Sequence, residues 1–332
     1  MEISGSGHRE EMEAGKVMVE KGRVRGRFAP SPSGRMHLGN VTAALLSWLS
    51  ARSQQGSWVL RIEDLDPQRS RRAYAEQILD DLRWLGLDWD ETPLWQSERT
   101  AIYEEKLSEL REKQLIYPCY CSRADLHSAS APHGTDGELL YSGRCRNLSE
   151  EEKYALEKTR RPAMRIRVDD RVIALKDGLQ GQGMSRLDQT CGDFIVRRSD
   201  GVFAYQLAVV IDDGLTGITE VVRGMDLLSS TPRQIYLYHC LGLPVPEFYH
   251  IPLLINEHGQ RLSKRDQALD LGELRQRWSA PELIGKLAWM TGLRDDFEPV
   301  TARELIGEFA WSKVRREPIV VTADFSEIES KG

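Results

Sequence analysis

The stretch Arg27-Phe28-Ala29-Pro30-Ser31-Pro32-Ser33-Gly34-Arg35-Met36-His37-Leu38-Gly39-Asn40 decides the fold. Residues 23–29 read as a short strand and the Pro/Ser/Gly run as a tight turn. Beyond it Val41, Ala44, Leu45, Trp48 and Leu49 recur at i, i+3, i+4, i+7 and i+8, the buried face of a helix. In an open α/β sheet a ligand sits at the carboxyl ends of the strands, where a helix N-terminus offers backbone N–H groups and a positive dipole end to a phosphate. On that reading His37 donates to a phosphate oxygen, and Gly39 lets a flat base approach the backbone.

Working outward, the strand-and-helix rhythm continues. Residues 58–62 read as a second strand. Residues 70–85 form a helix with Tyr74, Ile78, Leu82 and Leu85 on one side, and Ser97 is a good N-cap for a third helix carrying Tyr103, Leu107 and Leu110. Between 117 and 188 the composition shifts to Cys, Gly, Pro and charge, with one helix announced by the capping box Ser149 to Glu152. The rhythm returns over 189–270. Strands are expected at 194–198, 202–205, 218–223 and 249–255, with a hairpin turn at Ser199-Asp200-Gly201 and a helix opened by Thr231 as cap and Pro232 as its first residue. The expected fold is therefore α/β: a Rossmann-like domain in two halves, 23–116 and 189–270, split by an insertion at 117–188. Residues 1–22 read as a flexible leader and 271–332 as a short helical C-terminal region.

Composition bounds the rest. With 332 residues, 40% hydrophobic and 29% charged, the chain is globular, long enough for about two cored domains, and without an apolar run able to span a bilayer. A net charge of −6 leaves nucleic-acid binding undecided, since a local basic surface can coexist with an acidic total. Arg144, Arg146, Arg160, Arg161, Arg165 and Arg167 could meet phosphates, but interspersed acids make the field modest. The five cysteines are an odd number without a secretory signal, and Cys119, Cys121 and Cys145 fall close together, which favours a metal site in a reducing cytoplasm over a disulfide framework. Zinc wants four ligands, and His127 or His133 would suit as the fourth. Cys191 and Cys240 read as small hydrophobes.

A second polar constellation, Gln260-Arg261-Leu262-Ser263-Lys264-Arg265, follows the last strand candidate; such a loop can close over a polyphosphate and neutralise charge on a leaving group. Together, His37-Leu38-Gly39-Asn40 and Arg261-Leu262-Ser263-Lys264-Arg265 resemble the two signature motifs of class I aminoacyl-tRNA synthetases. Arg27 to Ser31, Arg61-Ile62-Glu63-Asp64-Leu65-Asp66 and Ala204-Tyr205-Gln206-Leu207-Ala208-Val209-Val210-Ile211-Asp212-Asp213 narrow the resemblance to the glutamyl branch. Two positions depart from the pattern: Asn40 stands where a second His is usual, and Arg261 where Lys is typical. The chain ends 68 residues after Lys264 (332 − 264), so an anticodon-binding domain is not expected. It is most similar to the short paralogues that attach glutamate to the queuosine base in the anticodon of tRNA(Asp).

The resemblance implies ATP-dependent, tRNA-independent activation of L-glutamate to its adenylate, then transfer to tRNA(Asp) carrying queuosine, by a cytoplasmic monomer. It implies His37 and Lys264 as catalytic residues, and His37, Gly39, Asn40, Ser263 and Lys264 around ATP and its Mg²⁺. Arg27 and Arg223 are assigned to the glutamate carboxylates and Glu63 to the α-ammonium. Tyr205 and Ser31 supply hydrogen bonds, with Phe28, Ala29 and Pro30 completing the pocket. A planar guanidinium fork suits a carboxylate. The bland alternative is that Arg27 and Glu63 merely pair across adjacent strands, and Asp64 and Asp66 are expected to cap the following turn. For the insertion, the resemblance points to one structural zinc on Cys119, Cys121, Cys145 and, through the Tyr141-x-x-x-Cys145 spacing, Tyr141. The competing functions are a minimal synthetase charging tRNA(Glu), a non-catalytic RNA-binding paralogue, and a nucleotidylyltransferase that uses no RNA.

Overall fold

A computed structural model describes residues 23–122, 140–260 and 269–322. The signature loop residues Arg261, Ser263, Lys264 and Arg265, and also His127 and His133, lie outside the described residues. The first strand, β1 (Arg25–Phe28), leads through the Pro/Ser turn into α1 (Leu38–Ser53). Then come β2 (Ser57–Ile62), α2 (Arg72–Trp84), β3 (Asp90–Trp95) and α3 (Thr100–Glu112). After the central segment the alternation resumes with α6 (Tyr205–Leu215), β9 (Glu220–Gly224), α7 (Thr231–Leu241) and β10 (Glu247–Ile251).

The main sheet has seven strands in the order β3-β2-β1-β9-β10-β6-β7. It is parallel except where β6 (Val172–Asp177) and β7 (Gly181–Arg186) pair antiparallel. From β1 the chain runs outward in one direction through β2 and β3, and later in the other through β9 and β10. The strand order therefore reverses between β1 and β9, where open α/β sheets bind ligands. Two strands from the segment expected as an insertion, β6 and β7, extend this main sheet. A separate three-stranded antiparallel sheet joins β4 (Ile116–Cys119), β5 (Ala163–Ile166) and β8 (Phe194–Arg197), with α4 (Glu150–Glu157) beside it in the chain and α5 (Leu187–Thr190) leading into β8.

Side-chain alternation divides the sheet into two faces. Phe28, Trp58, Leu60, Ile62 and Val222 join one core with α1, α2 and the C-terminal helices α8 (Leu271–Arg277), α9 (Ala280–Thr291) and α10 (Ala302–Leu305). Val59, Val221 and Phe248 join the other core with α3, α6 and α7. By the same period of two, Arg27, Arg61, Arg223 and His250 all point to the α6 side. Four buried polar side chains in apolar strands thus face the helix layer that holds α6 and α7.

Local chemistry moves several expected boundaries. Ser97 lies in a 3₁₀ turn and its hydroxyl donates to Asp64 Oδ2 at 2.7 Å, so α3 starts later without a side-chain cap. Asp64 therefore caps that distant turn, while Asp66 accepts from Gln68 N at 3.1 Å and caps the following one as expected. Tyr205 opens α6 instead of ending a strand. Thr231 is the first residue of α7 with Ser230 before it, and its hydroxyl is drawn to Arg223. The strand expected at 249–255 breaks into β10 and β11 (Leu254–Ile255), and β11 pairs with β12 (Ile319–Val320), a short strand in the region expected to be only helical.

Asp212 is fully buried near the end of α6 and ties three elements together. It accepts from Gln96 Nε2 at 2.8 Å, Arg99 Nε at 2.7 Å and the Tyr103 hydroxyl at 2.9 Å. Removing one partner of a buried charged cluster strands the others in low dielectric. Asp212→Ala should lower the free energy of urea unfolding by about 3–5 kcal/mol; an unchanged midpoint would show that the cluster contributes no stability.

Candidate active site

A cavity of about 430 Å³ opens at the carboxyl ends of β1 and β9. Its wall includes Arg27, Phe28, Ala29, Pro30, Ser31, His37, Gly39, Asn40, Glu63, Tyr205 and Arg223. Every described residue assigned to glutamate or ATP from the sequence therefore meets in one place. Ser263 and Lys264 lie outside the described residues.

The helix end comes first. His37 is the N-cap of α1: its Nδ1 accepts from Gly39 N at 3.2 Å, while Asn40 Oδ1 accepts from His37 N at 3.2 Å. With Nδ1 accepting, the ring proton sits on Nε2. Asn40, the departure from the family pattern, completes a capping box that a second imidazole would have to make by other means. Gly39 has a further reason to be glycine, because a Cβ there would lie 3.1 Å from His37 Cε1. The bare backbone lets the His37 ring fold over the helix end.

The other end of the cavity is built on buried charge. Asp213 receives Arg61 Nη1 on Oδ1 and Arg27 Nε on Oδ2 at 3.4 Å, and Arg27 Nη1 also donates to Val222 O at 3.2 Å. Burial works against the Asp213 carboxylate, but the Arg61 and Arg27 cations outweigh it and hold its pKa below the usual range. Arg61 Nη2 donates to Glu63 Oε1 at 3.1 Å. Arg27 and Glu63 do not form a cross-strand pair. Both face the cavity, each tied to a different partner. Burial pushes the Glu63 carboxyl up despite the neighbouring Arg61 and Arg27 cations.

Arg223 is clamped from behind. Its Nε donates to His250 Nε2 at 3.0 Å, Nη1 to Gln234 Oε1 at 2.7 Å and Nη2 to the Thr231 hydroxyl at 2.8 Å. Gln234 in turn donates to Gln206 Oε1 at 2.8 Å. Sequence reasoning gave no site role to Asp213, Arg61, Gln234, Thr231 or His250. A signal existed for the first of these. Two adjacent aspartates closing the apolar run Leu207 to Ile211 face the core of a helix, where buried acids need cationic partners, and two strands supply arginines at the matching parity.

The cysteine cluster lies at the edge of the antiparallel sheet, where Cys119 ends β4 and Cys121 and Cys145 come from irregular segments. The Sγ atoms of Cys119, Cys121 and Cys145 all lie within 4.8 Å of one another, with Cys121 and Cys145 at 3.6 Å. Tetrahedral zinc with Zn–S of about 2.3 Å separates its thiolates by roughly 3.8 Å, so this trio could hold a metal ion. The Tyr141 hydroxyl is 3.4 Å from Cys119 Sγ and 3.9 Å from Cys121 Sγ, and accepts from Cys145 N at 2.9 Å. Gly192 makes room for Tyr141: it adopts φ +65°, and a Cβ would meet Tyr141 O at 2.8 Å. Arg165 Nε donates to Cys119 Sγ at 3.2 Å and the guanidinium lies over the Tyr141 ring. The arginines near this sheet are mostly structural: Arg165 also donates to Asp193 O, Arg146 to Val168 O, Arg167 to Arg146 O and Arg160 to Tyr120 O. Among the described residues no helix is long and apolar enough to cross a membrane.

Comparison with known proteins agrees with this geometry. The family described as tRNA synthetases class I (E and Q), catalytic domain, matches residues 23–320. A glutamyl-Q tRNA(Asp) synthetase of Symbiobacterium thermophilum is 49% identical over 312 residues, covering 90% of this chain and 96% of the relative. Another, from Nitratidesulfovibrio vulgaris, is 47% identical over 320 residues, covering 93% and 99%. Among solved structures, a glutamate tRNA ligase from Elizabethkingia meningosepticum in complex with its amino acid superposes with TM-score 0.77 at 30% identity, over 91% of this chain and 68% of that one. The glutamate-tRNA synthetase of Elizabethkingia anophelis gives 0.78 at 30% identity, over 91% and 69%. With the switch-point cavity, the capped signature helix and the buried arginines in place, the chain belongs to the class I aminoacyl-tRNA synthetase family for glutamate and glutamine, a family of ligases, and within it to the glutamyl-Q tRNA(Asp) synthetases.

Proposed function

We propose that the chain activates L-glutamate with ATP, without needing tRNA for that step, and transfers it to the queuosine base of tRNA(Asp), working as a cytoplasmic monomer. The observation that carries this reading is a single cavity holding two buried guanidinium groups, Arg27 and Arg223, with Glu63 and Tyr205 beside the His37 helix end. Glutamate presents two carboxylates and one ammonium, and these groups match it in sign: Arg27 and Arg223 for the carboxylates, Glu63 for the ammonium. Tyr205 and Ser31 would add hydrogen bonds, and the Phe28-Ala29-Pro30 segment would form the floor. The names of relatives 47–49% identical over most of the chain support queuosine-bearing tRNA(Asp) as acceptor over tRNA(Glu).

Activation needs no protein nucleophile. A glutamate α-carboxylate oxygen forms a bond to the α-phosphorus of ATP, the bond from that phosphorus to the bridging oxygen breaks, and pyrophosphate leaves with the electron pair. Catalysis is therefore positioning and charge stabilisation. His37 Nε2–H and the N-terminus of α1, with Gly39 and Asn40, would hold phosphate oxygens. Ser263 and Lys264 would hold the departing pyrophosphate, on the family resemblance. Mg²⁺ bound with ATP would supply further charge neutralisation. In the second step a hydroxyl of the queuosine cyclopentenediol attacks the acyl carbon, AMP leaves, and the hydroxyl proton is lost. For the cysteine cluster the fitting metal is one structural zinc with Tyr141 as fourth ligand, which would tie β4 to the 140–145 segment.

With labelled glutamate and ATP, label should reach queuosine-containing tRNA(Asp) and neither queuosine-free tRNA(Asp) nor tRNA(Glu). Charging of tRNA(Glu) would replace this reading with a minimal glutamyl-tRNA synthetase. Lys264→Ala should keep the circular dichroism of the wild type and lose glutamate-dependent pyrophosphate exchange; full exchange would remove Lys264 from the phosphate site. Cys145→Ser should lose bound zinc by elemental analysis and melt at lower temperature. Tyr141→Phe should release zinc to a chelator faster, and an unchanged release rate would remove Tyr141 from the ligand set.

A further inference from the structure

Behind Arg223 the polar chain continues away from the cavity across two more strands. His250 sits on β10 directly opposite Arg223 in the parallel register, and Asp177 at the end of β6 sits opposite Phe248. His250 is fully buried and Asp177 nearly so. His250 Nδ1 lies 2.5 Å from Asp177 Oδ2, and its Nε2 lies 3.0 Å from Arg223 Nε.

The Arg223 end fixes the tautomer in this chain, and the Thr231 hydroxyl lies 3.1 Å from the same His250 Nε2. A guanidinium has donors only, so His250 Nε2 accepts and the ring proton sits on Nδ1, pointing at Asp177. The other carboxylate oxygen of Asp177, Oδ1, accepts from Leu179 N at 3.0 Å, Gln180 N at 2.8 Å and His250 N at 3.3 Å. Asp177 therefore fixes the histidine tautomer, and the tautomer fixes what Arg223 meets. Burial and the Arg223 cation keep the imidazole pKa below its ordinary value, against the pull of Asp177.

The consequence lies in the charge of Arg223. Arg27 and Arg61 share the Asp213 carboxylate, which neutralises part of their field. Among the described residues, the hydrogen-bond acceptors of Arg223 are a neutral imidazole, an amide, a hydroxyl and a backbone carbonyl. It is oriented by four neutral groups and hydrogen-bonds no carboxylate among the described residues; the Asp213 carboxylate, whose field reaches it, is bonded to Arg61 and Arg27. We propose that Asp177 and His250 are positioning residues for glutamate: they hold Arg223 through a neutral acceptor, so that its charge is left for a substrate carboxylate. This rests on the assignment of Arg223 to glutamate.

The decisive variant is Asp177→Asn. Its amide oxygen must take the place of Oδ1 to satisfy the three backbone N–H groups, so its NH₂ turns to His250 Nδ1. The ring proton then has to move to Nε2, where it opposes Arg223 Nε–H. In pyrophosphate exchange the KM for glutamate should rise about tenfold or more, with the KM for ATP and kcat nearly unchanged. In the ¹⁵N-histidine-labelled chain, the His250 signal should report an Nδ1–H tautomer in the wild type and Nε2–H in the variant. A tautomer shift with an unmoved glutamate KM, or an Nε2–H tautomer in the wild type, would overturn the proposal. Should Asp177→Asn fail to fold, His250→Gln, which keeps a neutral acceptor, is expected to retain a lower glutamate KM than His250→Leu. Equal values in the two would overturn it. A folded wild type with no glutamate-dependent exchange would instead overturn the activation reading, and this proposal with it.

Discussion

The site depends on one buried carboxylate. Asp213 stands near the end of an otherwise apolar helix and holds Arg27 of β1 and Arg61 of β2 on its two oxygens. Two cations in adjacent parallel strands, on the same face, repel one another in low dielectric, and desolvating either alone is costly. Asp213 makes their burial tolerable and fixes where both guanidinium groups point. It also fastens α6 across the switch point of the sheet. Tyr205 at the start of the same helix is thereby set over the cavity, and Asp212 beside it extends the polar anchorage to α3.

The opposite wall is held by the C-terminal region. Leu271 N donates to Met36 O at 2.9 Å and His37 bridges to Asp270, so the chain beyond 269 is stitched to the turn that precedes α1. Arg275 donates to Asp80 and Asp81 of α2, and Arg35 of the same turn lies 3.6 Å from Asp81. Trp311 stacks on Tyr249 at 4.4 Å and donates to Ser50 of α1, while β12 pairs with β11. The helix whose N-terminal end lines the cavity is thus braced from behind by residues distant in sequence.

The sequence showed the fold where periodicity and motif agreed. The strand–turn–helix at 27–49 has an alternating strand, a Pro/Gly turn and a strong helical face, and all three survive. It misled where a side chain had a better distant partner. Ser97 looked like a cap, but Asp64 takes its hydroxyl; Thr231 looked like a cap, but Arg223 takes its hydroxyl. Neither competition is visible locally, because one partner lies just past β2 and the other on β9. The cavity-lining residues Arg27, Glu63 and Tyr205 were legible because the motifs that carry them are long, and Arg223 was assigned only through the resemblance. The residues behind Arg223, namely Asp177, His250 and Gln234, were not, because a lone acid, His or Gln in an apolar segment acquires meaning only once strand register places it.

Charge balance explains why such a pocket suits a zwitterion with an extra carboxylate. Arg27, Arg35 and Arg223 line the cavity with Glu63 and Asp226, three cationic side chains against two acids, while Arg61 and Asp213 pair behind that wall. Glu63 is the group most strained by this arrangement, since burial raises its pKa even beside Arg61. A bound ammonium would give its carboxylate the partner that burial removed. The two substrate carboxylates would bring to Arg27 and Arg223 the anions that Asp213 shares thinly and that Arg223 does not have. Binding therefore completes the electrostatics of the protein as well as those of the amino acid. A ligand lacking either the ammonium or one carboxylate would leave a buried charge uncompensated, and discrimination of this kind is larger than apolar fit alone provides.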